Sequence, residues 1–193
     1  MESEDGVVTL AFSLDGDEHS SPAWPHTFRI VHRITIGTEL VMALEVSNRG
    51  GEPFRFEEAL HTYFSVSNIE EVSVIGLERV SYLDKVEGGV RKEPAGARVR
   101  FTGETDRVYL DTVETCIIED PGMGRRIRVA KAGSRSTVVW NPWIVKAGAL
   151  PDFGDDEWRG MLCVETANIG DAAVTLEPGR THVMTATIAM EPI

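Results

Sequence analysis

Two side chains in this sequence are candidates for general acid–base chemistry, His61 and Glu165. His61 precedes Tyr63 and Phe64, whose rings could form the apolar wall of a pocket. Glu165 ends the apolar run 161–164, where a carboxylate must be paired, solvated or held in a site. Apolar surroundings shift pKa values, and general acid–base catalysis depends on such shifts. The alternative for His61 is a core histidine hydrogen-bonded to the backbone.

Two further segments combine polar and aromatic side chains near the ends of predicted strands. Asn141 lies between Trp140 and Trp143, an arrangement that suits a sugar-stacking platform with a hydrogen-bonding amide. Tryptophan is also large and often buried, so a purely structural role stays open. Asp106 and Arg107 enter a strand together, and the alternative to a binding role is a surface ion pair.

The composition excludes several classes of function. The chain has 193 residues, enough for one domain over 1–193, and a formal net charge of −12. So acidic a chain has no broad basic face for nucleic acid or anionic membranes, and no apolar run is long enough to span a bilayer. Signatures of P-loop, zinc-protease, Rossmann and serine-hydrolase sites are absent from the sequence. Two cysteines, no CxxC pair and no secretory leader predict a reduced, cytoplasmic protein without a metal site.

The elements that must position these side chains are strands. Apolar residues alternate with polar or smaller ones over 8–14, 28–36 and 40–46, which places one set on the core face of a sheet. Many short strands separated by Gly, Pro and Asn turns predict an all-β, antiparallel sandwich. Short helical turns are expected only near 143–149 and 155–160.

Five segments together resemble the hexose-6-phosphate mutarotases, also called glucose-6-phosphate 1-epimerases, of the aldose 1-epimerase superfamily. They occur in the family's order and, with Trp24-Pro25-His26-Thr27-Phe28, cover nearly the whole chain. The five segments are Leu60-His61-Thr62-Tyr63-Phe64, Tyr82-Leu83-Asp84-Lys85-Val86, Thr105-Asp106-Arg107-Val108-Tyr109, Val139-Trp140-Asn141-Pro142-Trp143 and Cys163-Val164-Glu165-Thr166-Ala167-Asn168.

The resemblance implies a galactose mutarotase-like β-sandwich and a reaction without metal, nucleotide or other cofactor. In that family a His is the general acid, a Glu the general base, and an Asp binds the sugar. These roles fall on His61, Glu165 and Asp106, and the expected substrate is a hexose 6-phosphate or a hexose. Residue type and motif position add three residues that would hold the sugar ring: Tyr63, Asn141 and Trp143.

The sequence also departs from the family. Members usually carry a further N-terminal segment with several sandwich strands and the basic residues that bind the substrate phosphate. We therefore expect a shortened member that lacks those strands and could self-associate through an exposed sheet edge. The alternative function is a truncated, non-catalytic carbohydrate-binding or interaction β-domain. A glycoside hydrolase fits less well, because it needs paired carboxylates across the scissile bond.

Overall fold

The structure, a computed structural model, describes residues 2–4, 6–17, 19–20 and 22–193. Antiparallel strands dominate it, as the alternation predicts, and its helical turns are short. The strands are β1 (Glu2–Glu4), β2 (Val7–Gly16), β3 (Phe28–Ile36), β4 (Leu40–Asn48), β5 (Phe54–Phe56), β6 (Glu58–Leu60), β7 (Tyr63–Ser65), β8 (Ser73–Ile75), β9 (Tyr82–Asp84), β10 (Val90–Lys92), β11 (Val99–Arg100), β12 (Thr105–Tyr109), β13 (Cys116–Asp120), β14 (Arg125–Ala132), β15 (Ser136–Asn141), β16 (Met161–Asn168), β17 (Val174–Leu176) and β18 (Thr181–Pro192). The helix α1 spans Trp143–Ala149, and 3-10 turns cover Pro121–Met123, Glu157–Gly160 and Gly170–Ala172.

Within the described residues the strands form two large sheets and one small one. The first has the order β1-β2-β3-β4-β18-β14-β13-β8-β11, and the second has the order β10-β9-β12-β15-β16-β6, with β7 also paired to β16. The small sheet consists of β17 and β5. The paired strands are antiparallel, and consecutive strands such as β2, β3 and β4 are adjacent in the sheet. The predicted antiparallel β-sandwich is confirmed.

The main core lies between the two large sheets. Ile118 and Val129 of the first sheet and Val139 and Leu162 of the second belong to one buried cluster. Trp158, from the 3-10 turn before β16, closes the same cluster and is almost fully buried. Because side chains alternate along a strand, residues next to these core positions point to the outer face of the second sheet. That outer face carries the candidate site.

One end of the first sheet is left uncovered by the described residues. Phe12 and Leu14 of β2 lie opposite His32 and Ile30 of β3, on the face that carries the core further along the sheet. Their exposed fractions are nevertheless 59% each, and that of Ile36 is 47%. Alternation alone predicts this face as buried; the described strands of the second sheet do not extend over it. We call Phe12, Leu14 and Ile36 the apolar strip.

Candidate active site

His61 and Glu165 meet because a strand is interrupted between them. Both β6 and β7 pair with β16, Leu60 opposite Thr166 and Tyr63 opposite Cys163, and the break between them lies opposite Glu165. His61 occupies the break, and its Nδ1 lies 2.9 Å from Oε2 of Glu165. A carboxylate oxygen only accepts, so Nδ1 carries the hydrogen and Nε2 is directed elsewhere. The two residues that the sequence predicted as a proton-transferring pair are therefore in direct contact.

The pair combines a buried carboxyl with an exposed imidazole. The side chain of Glu165 is 7% exposed and that of His61 is 69% exposed. Burial raises the pKa of Glu165, the charge and hydrogen bond of His61 oppose that rise, and the negative charge of Asp106 adds to it. A carboxyl whose pKa is raised is a stronger base when ionised. The imidazole at the solvent side can exchange protons with water.

A cavity of about 380 Å³ opens beside this pair on the outer face of the second sheet. Asp106 lies opposite Trp140 across the β12–β15 ladder, and Val138 lies opposite Glu165 across the β15–β16 ladder. Alternation places these four side chains on one face, where they line the cavity together. The complete lining is Ala59, His61, Tyr63, Lys85, Asp106, Val108, Val138, Trp140, Glu165 and Ile169.

Aromatic rings form one wall of the cavity. The rings of Tyr63 and Trp140 stand edge to face, with centroids 5.9 Å apart. Tyr63 is largely exposed, so its ring is available to a ligand. Desolvation and the nearby Cys163 and Glu165 raise the pKa of the Tyr63 hydroxyl, which keeps it protonated and able to donate. Such rings provide stacking surfaces for the apolar faces of a sugar.

Asp106 supplies the second carboxyl of the cavity. Burial raises the pKa of Asp106, whereas the positive charges of Lys146 and Lys85 lower it. Lys146 comes from α1, where its Nζ lies 3.8 Å from Asp106 Oδ2 and 3.3 Å from Glu104 Oε1. Asp106 therefore faces the cavity as a carboxylate near the ammonium group of Lys146 and in the positive field of Lys85, suited to accepting hydrogen bonds from hydroxyl groups.

Asn141 and Trp143, predicted as sugar-binding residues, do not line the cavity. Asn141 is fully buried, and its Nδ2 donates to the carbonyl oxygens of Trp158 at 2.7 Å and Met161 at 2.9 Å. Its Oδ1 accepts from the backbone N–H of Trp143 at 2.9 Å. The Trp143 ring packs on Trp158 at 4.4 Å between centroids. The reason is the alternation: Trp140 points to the cavity, so Asn141, the next residue, points to the core.

Two cavity residues were missed as individual binding candidates, Trp140 and Lys85. Trp140 belongs to the predicted tryptophan platform, but motif position favoured Trp143, whose ring packs on Trp158. The strand register would have identified it, since Trp140 is the direct partner of Asp106. Lys85 lies in a predicted motif, but nothing in its spacing indicates a cavity residue. Only the pairing of β9 with β12 brings it beside Asp106.

The described residues also bear on metal binding and on membrane spanning. No group of three His, Cys, Asp or Glu side chains there is arranged to hold a metal ion. Nor does that part of the chain contain a helix of the length and apolarity needed to cross a membrane. Both cysteines, Cys116 and Cys163, are buried thiols without a disulfide, and burial raises the pKa of each.

The amino-acid sequence of this chain is similar to those of known proteins. The sequence model described as aldose 1-epimerase matches residues 2–189. The chain belongs to the aldose 1-epimerase family. Relatives from Cenchrus ciliaris and Escherichia coli K12, each named "Putative glucose-6-phosphate 1-epimerase", are 40% and 35% identical over 166 residues. These alignments cover 84% and 86% of this chain.

A solved structure shares the fold of this chain. The crystal structure of "a putative mutarotase (YeaD)" from Salmonella typhimurium superposes with a TM-score of 0.90 at 30% identity, covering 100% of this chain and 63% of that one. The alignments with the Cenchrus and Escherichia relatives cover 50% and 54% of their lengths. The chain thus spans about half the length of the curated relatives it matches.

Proposed function

We propose that this chain interconverts the α and β anomers of a hexose 6-phosphate, with Glu165 as general base and His61 as general acid. The observation that carries the proposal is the 2.9 Å contact of His61 with a buried carboxylate inside an aromatic-walled cavity. Family membership and the names of the relatives support the reaction type and the phosphorylated sugar. A plain hexose is the alternative substrate, and Asp106 and Tyr63 are proposed to bind its hydroxyl groups and ring.

The chemistry needs two proton transfers at neighbouring oxygens. Glu165 takes the proton of the anomeric hydroxyl, C1 becomes an aldehyde as its bond to the ring oxygen breaks, and the imidazolium form of His61 gives that oxygen its Nε2 proton. Rotation about C1–C2 presents the other face, and the reverse transfers close the ring. The two reacting oxygens share one carbon, so an acid and a base one hydrogen bond apart suit them. Each transfer contributes about 10²–10⁴-fold.

The test is polarimetry on freshly dissolved α-glucose 6-phosphate. Glu165→Gln and His61→Ala should each lower the rate at least about 100-fold, because each removes one transfer. Circular dichroism should show both variants folded, since neither change removes core volume. Retention of the full rate by either variant would remove that residue from the mechanism.

A second His–Glu contact in the protein provides the matched control. Glu58 Oε1 lies 2.9 Å from His182 Nε2, and this buried carboxyl is not among the residues that line the cavity. Glu58→Gln makes the same chemical change as Glu165→Gln and should leave the rate within about twofold. A non-catalytic sugar-binding domain, the alternative function, predicts binding without any rate enhancement in the wild-type chain.

We further propose a cytoplasmic location and association between copies of the chain. Two buried, unpaired thiols fit a reducing compartment. The uncovered apolar strip at the β2 end of the first sheet favours association, because exposed apolar strands next to a sheet edge invite pairing.

A further inference from the structure

Lys85 lines the cavity, and its ammonium group forms no ion pair with the described residues. It follows β9 directly, and the turn to β10 is made by Gly88 and Gly89, whose φ angles of 73° and 81° suit glycine. The backbone N–H of Lys85 donates to the carbonyl oxygen of Asp106 at 2.8 Å, which fixes the residue beside that carboxyl. Its side chain lines the cavity, yet within the described part of the chain its ammonium group has no hydrogen bond or ion-pair partner.

The other charges around the cavity are already paired or negative. Lys146 is engaged by Glu104 and Asp106, and His61 by Glu165. In a chain with a net charge of −12, a dianionic substrate is repelled unless a local cation offsets the field. Lys85 is the lysine among the cavity-lining residues, and an ammonium group binds phosphate as a point charge.

We infer that Lys85 binds the phosphate group of the sugar and sets the preference for a phosphorylated over a plain hexose. The inference rests on the proposed mutarotase function and names the residue that selects its substrate class. Lys85 lies on the Asp106 side of the cavity. β9 and β16 are three strand positions apart in the second sheet, and Lys85 is level with Cys163, two residues from Glu165, so the two backbones are separated by about 16 Å. A sugar between them can place C1 at the His61–Glu165 pair and its phosphate at the lysine.

The experiment compares two substrates on three variants. Mutarotation of glucose 6-phosphate and of glucose is measured at matched ionic strength, and binding of both is measured by the change in tryptophan fluorescence, to which the cavity residue Trp140 contributes. Lys85→Met should lower kcat/KM and affinity for glucose 6-phosphate about tenfold or more, while the values for glucose change less than about twofold. Lys85→Arg should keep most of the preference, because the positive charge is retained.

Lys92 gives the matched control. It lies on β10 of the same hairpin, pairs with Glu87 at 2.6 Å and does not line the cavity, so Lys92→Met makes an equal change in net charge. It should leave the preference unchanged. A wild-type chain that binds glucose 6-phosphate no better than glucose overturns the inference, as does a Lys85→Met variant that loses both sugars equally or neither. Failure of the proposed function looks different: a phosphate preference in binding with no mutarotation of either sugar.

Discussion

The surroundings of Glu165, the proposed general base, set the pKa of its carboxyl group. Its strand is buried along its whole length, and that burial raises the pKa of the carboxyl. His61 stabilises the ionised form, while the negative charge of Asp106 disfavours it. In the proposed mechanism the active form of Glu165 is ionised, so activity should fall as the pH decreases through its pKa. We call this fall the acidic limb of the pH–rate profile. Its midpoint should lie above the usual pKa range of glutamate.

Removing the charge of Asp106 should move this limb. Asp106→Asn takes away a negative charge that raises the pKa of Glu165, so the acidic limb of kcat/KM should shift to lower pH. The rate at the optimum should fall about 10–100-fold through the lost sugar contact. The measurement is a pH–rate profile on glucose 6-phosphate. Asp111→Asn, an equal charge change at an exposed residue paired with Arg135, serves as the control and should not move the limb. An unmoved limb in Asp106→Asn would contradict the electrostatic coupling.

At the scale of elements, the sequence predicts the long strands better than the short ones. Alternation over 28–36 and 40–46 corresponds to β3 and β4, and the helical turns expected near 143–149 and 155–160 correspond to α1 and a 3-10 turn. The three-residue strands β6 and β7 are too short to show a period. Their interruption at His61 creates the contact with Glu165, so motif resemblance identified the pair but periodicity could not.

Local backbone geometry explains why Trp143, which follows β15, does not line the cavity. Trp143 has a φ of 57°, a left-handed conformation unusual for a bulky residue, and it begins α1. The turn sends its ring back onto Trp158 instead of into the cavity. No spacing rule indicates such a conformation, whereas the side of Asn141 follows from alternation once the register of Trp140 is known.

The packing of β14 against β15 contains a largely buried lysine that should cost stability. Lys131 Nζ donates to the Ser136 carbonyl and to Thr137 Oγ1, both at 2.8 Å, and no carboxylate of the described residues pairs with it. Burial lowers the pKa of Lys131 to about 8. The cost of burying the charge is therefore absent above the unfolded pKa of 10.5. It grows as the pH falls towards 8 and is fully present below that value.

Replacing this lysine should stabilise the fold at neutral pH. Lys131→Met keeps the aliphatic volume and removes the cost of burying a charge, so the free energy of unfolding at pH 7 should rise by about 1–3 kcal/mol. The loss of the two hydrogen bonds of Lys131 offsets part of this gain in the free energy of unfolding. Urea unfolding at pH 7 and at pH 10 measures it, and the gain should shrink at the higher pH. Lys92→Met, an exposed charge change, should show neither effect; a Lys131→Met variant less stable at both values would contradict the argument.

At the scale of the whole molecule, the two large sheets cover each other over the core. At the β2 end, the described strands of the second sheet do not cover the first sheet. The structural relative from Salmonella covers this chain completely, so the sandwich is the shared architecture. Its antiparallel strands were accessible to sequence reasoning because the alternation over 28–36 and 40–46 gives these long strands an apolar face. The sequence could not predict which apolar faces are covered. Coverage depends on how far the opposite sheet extends, and no local pattern indicates that extent.

The apolar strip should make the molecule associate. Phe12 and Leu14 are 59% exposed and Ile36 is 47% exposed, all on one face of adjacent strands, so burying them against another copy removes contiguous apolar surface from water. Sedimentation velocity should show a concentration-dependent rise in mass for the wild-type chain. The double variant Phe12→Ser and Leu14→Ser should shift the population towards monomer at least about tenfold in dissociation constant, because apolar burial drives the contact. Val113→Ser, which changes an apolar side chain of 69% exposure away from the strip, should leave association unchanged. A wild-type chain that stays monomeric at all accessible concentrations, or a double variant that associates equally well, would show that the strip is not the contact surface.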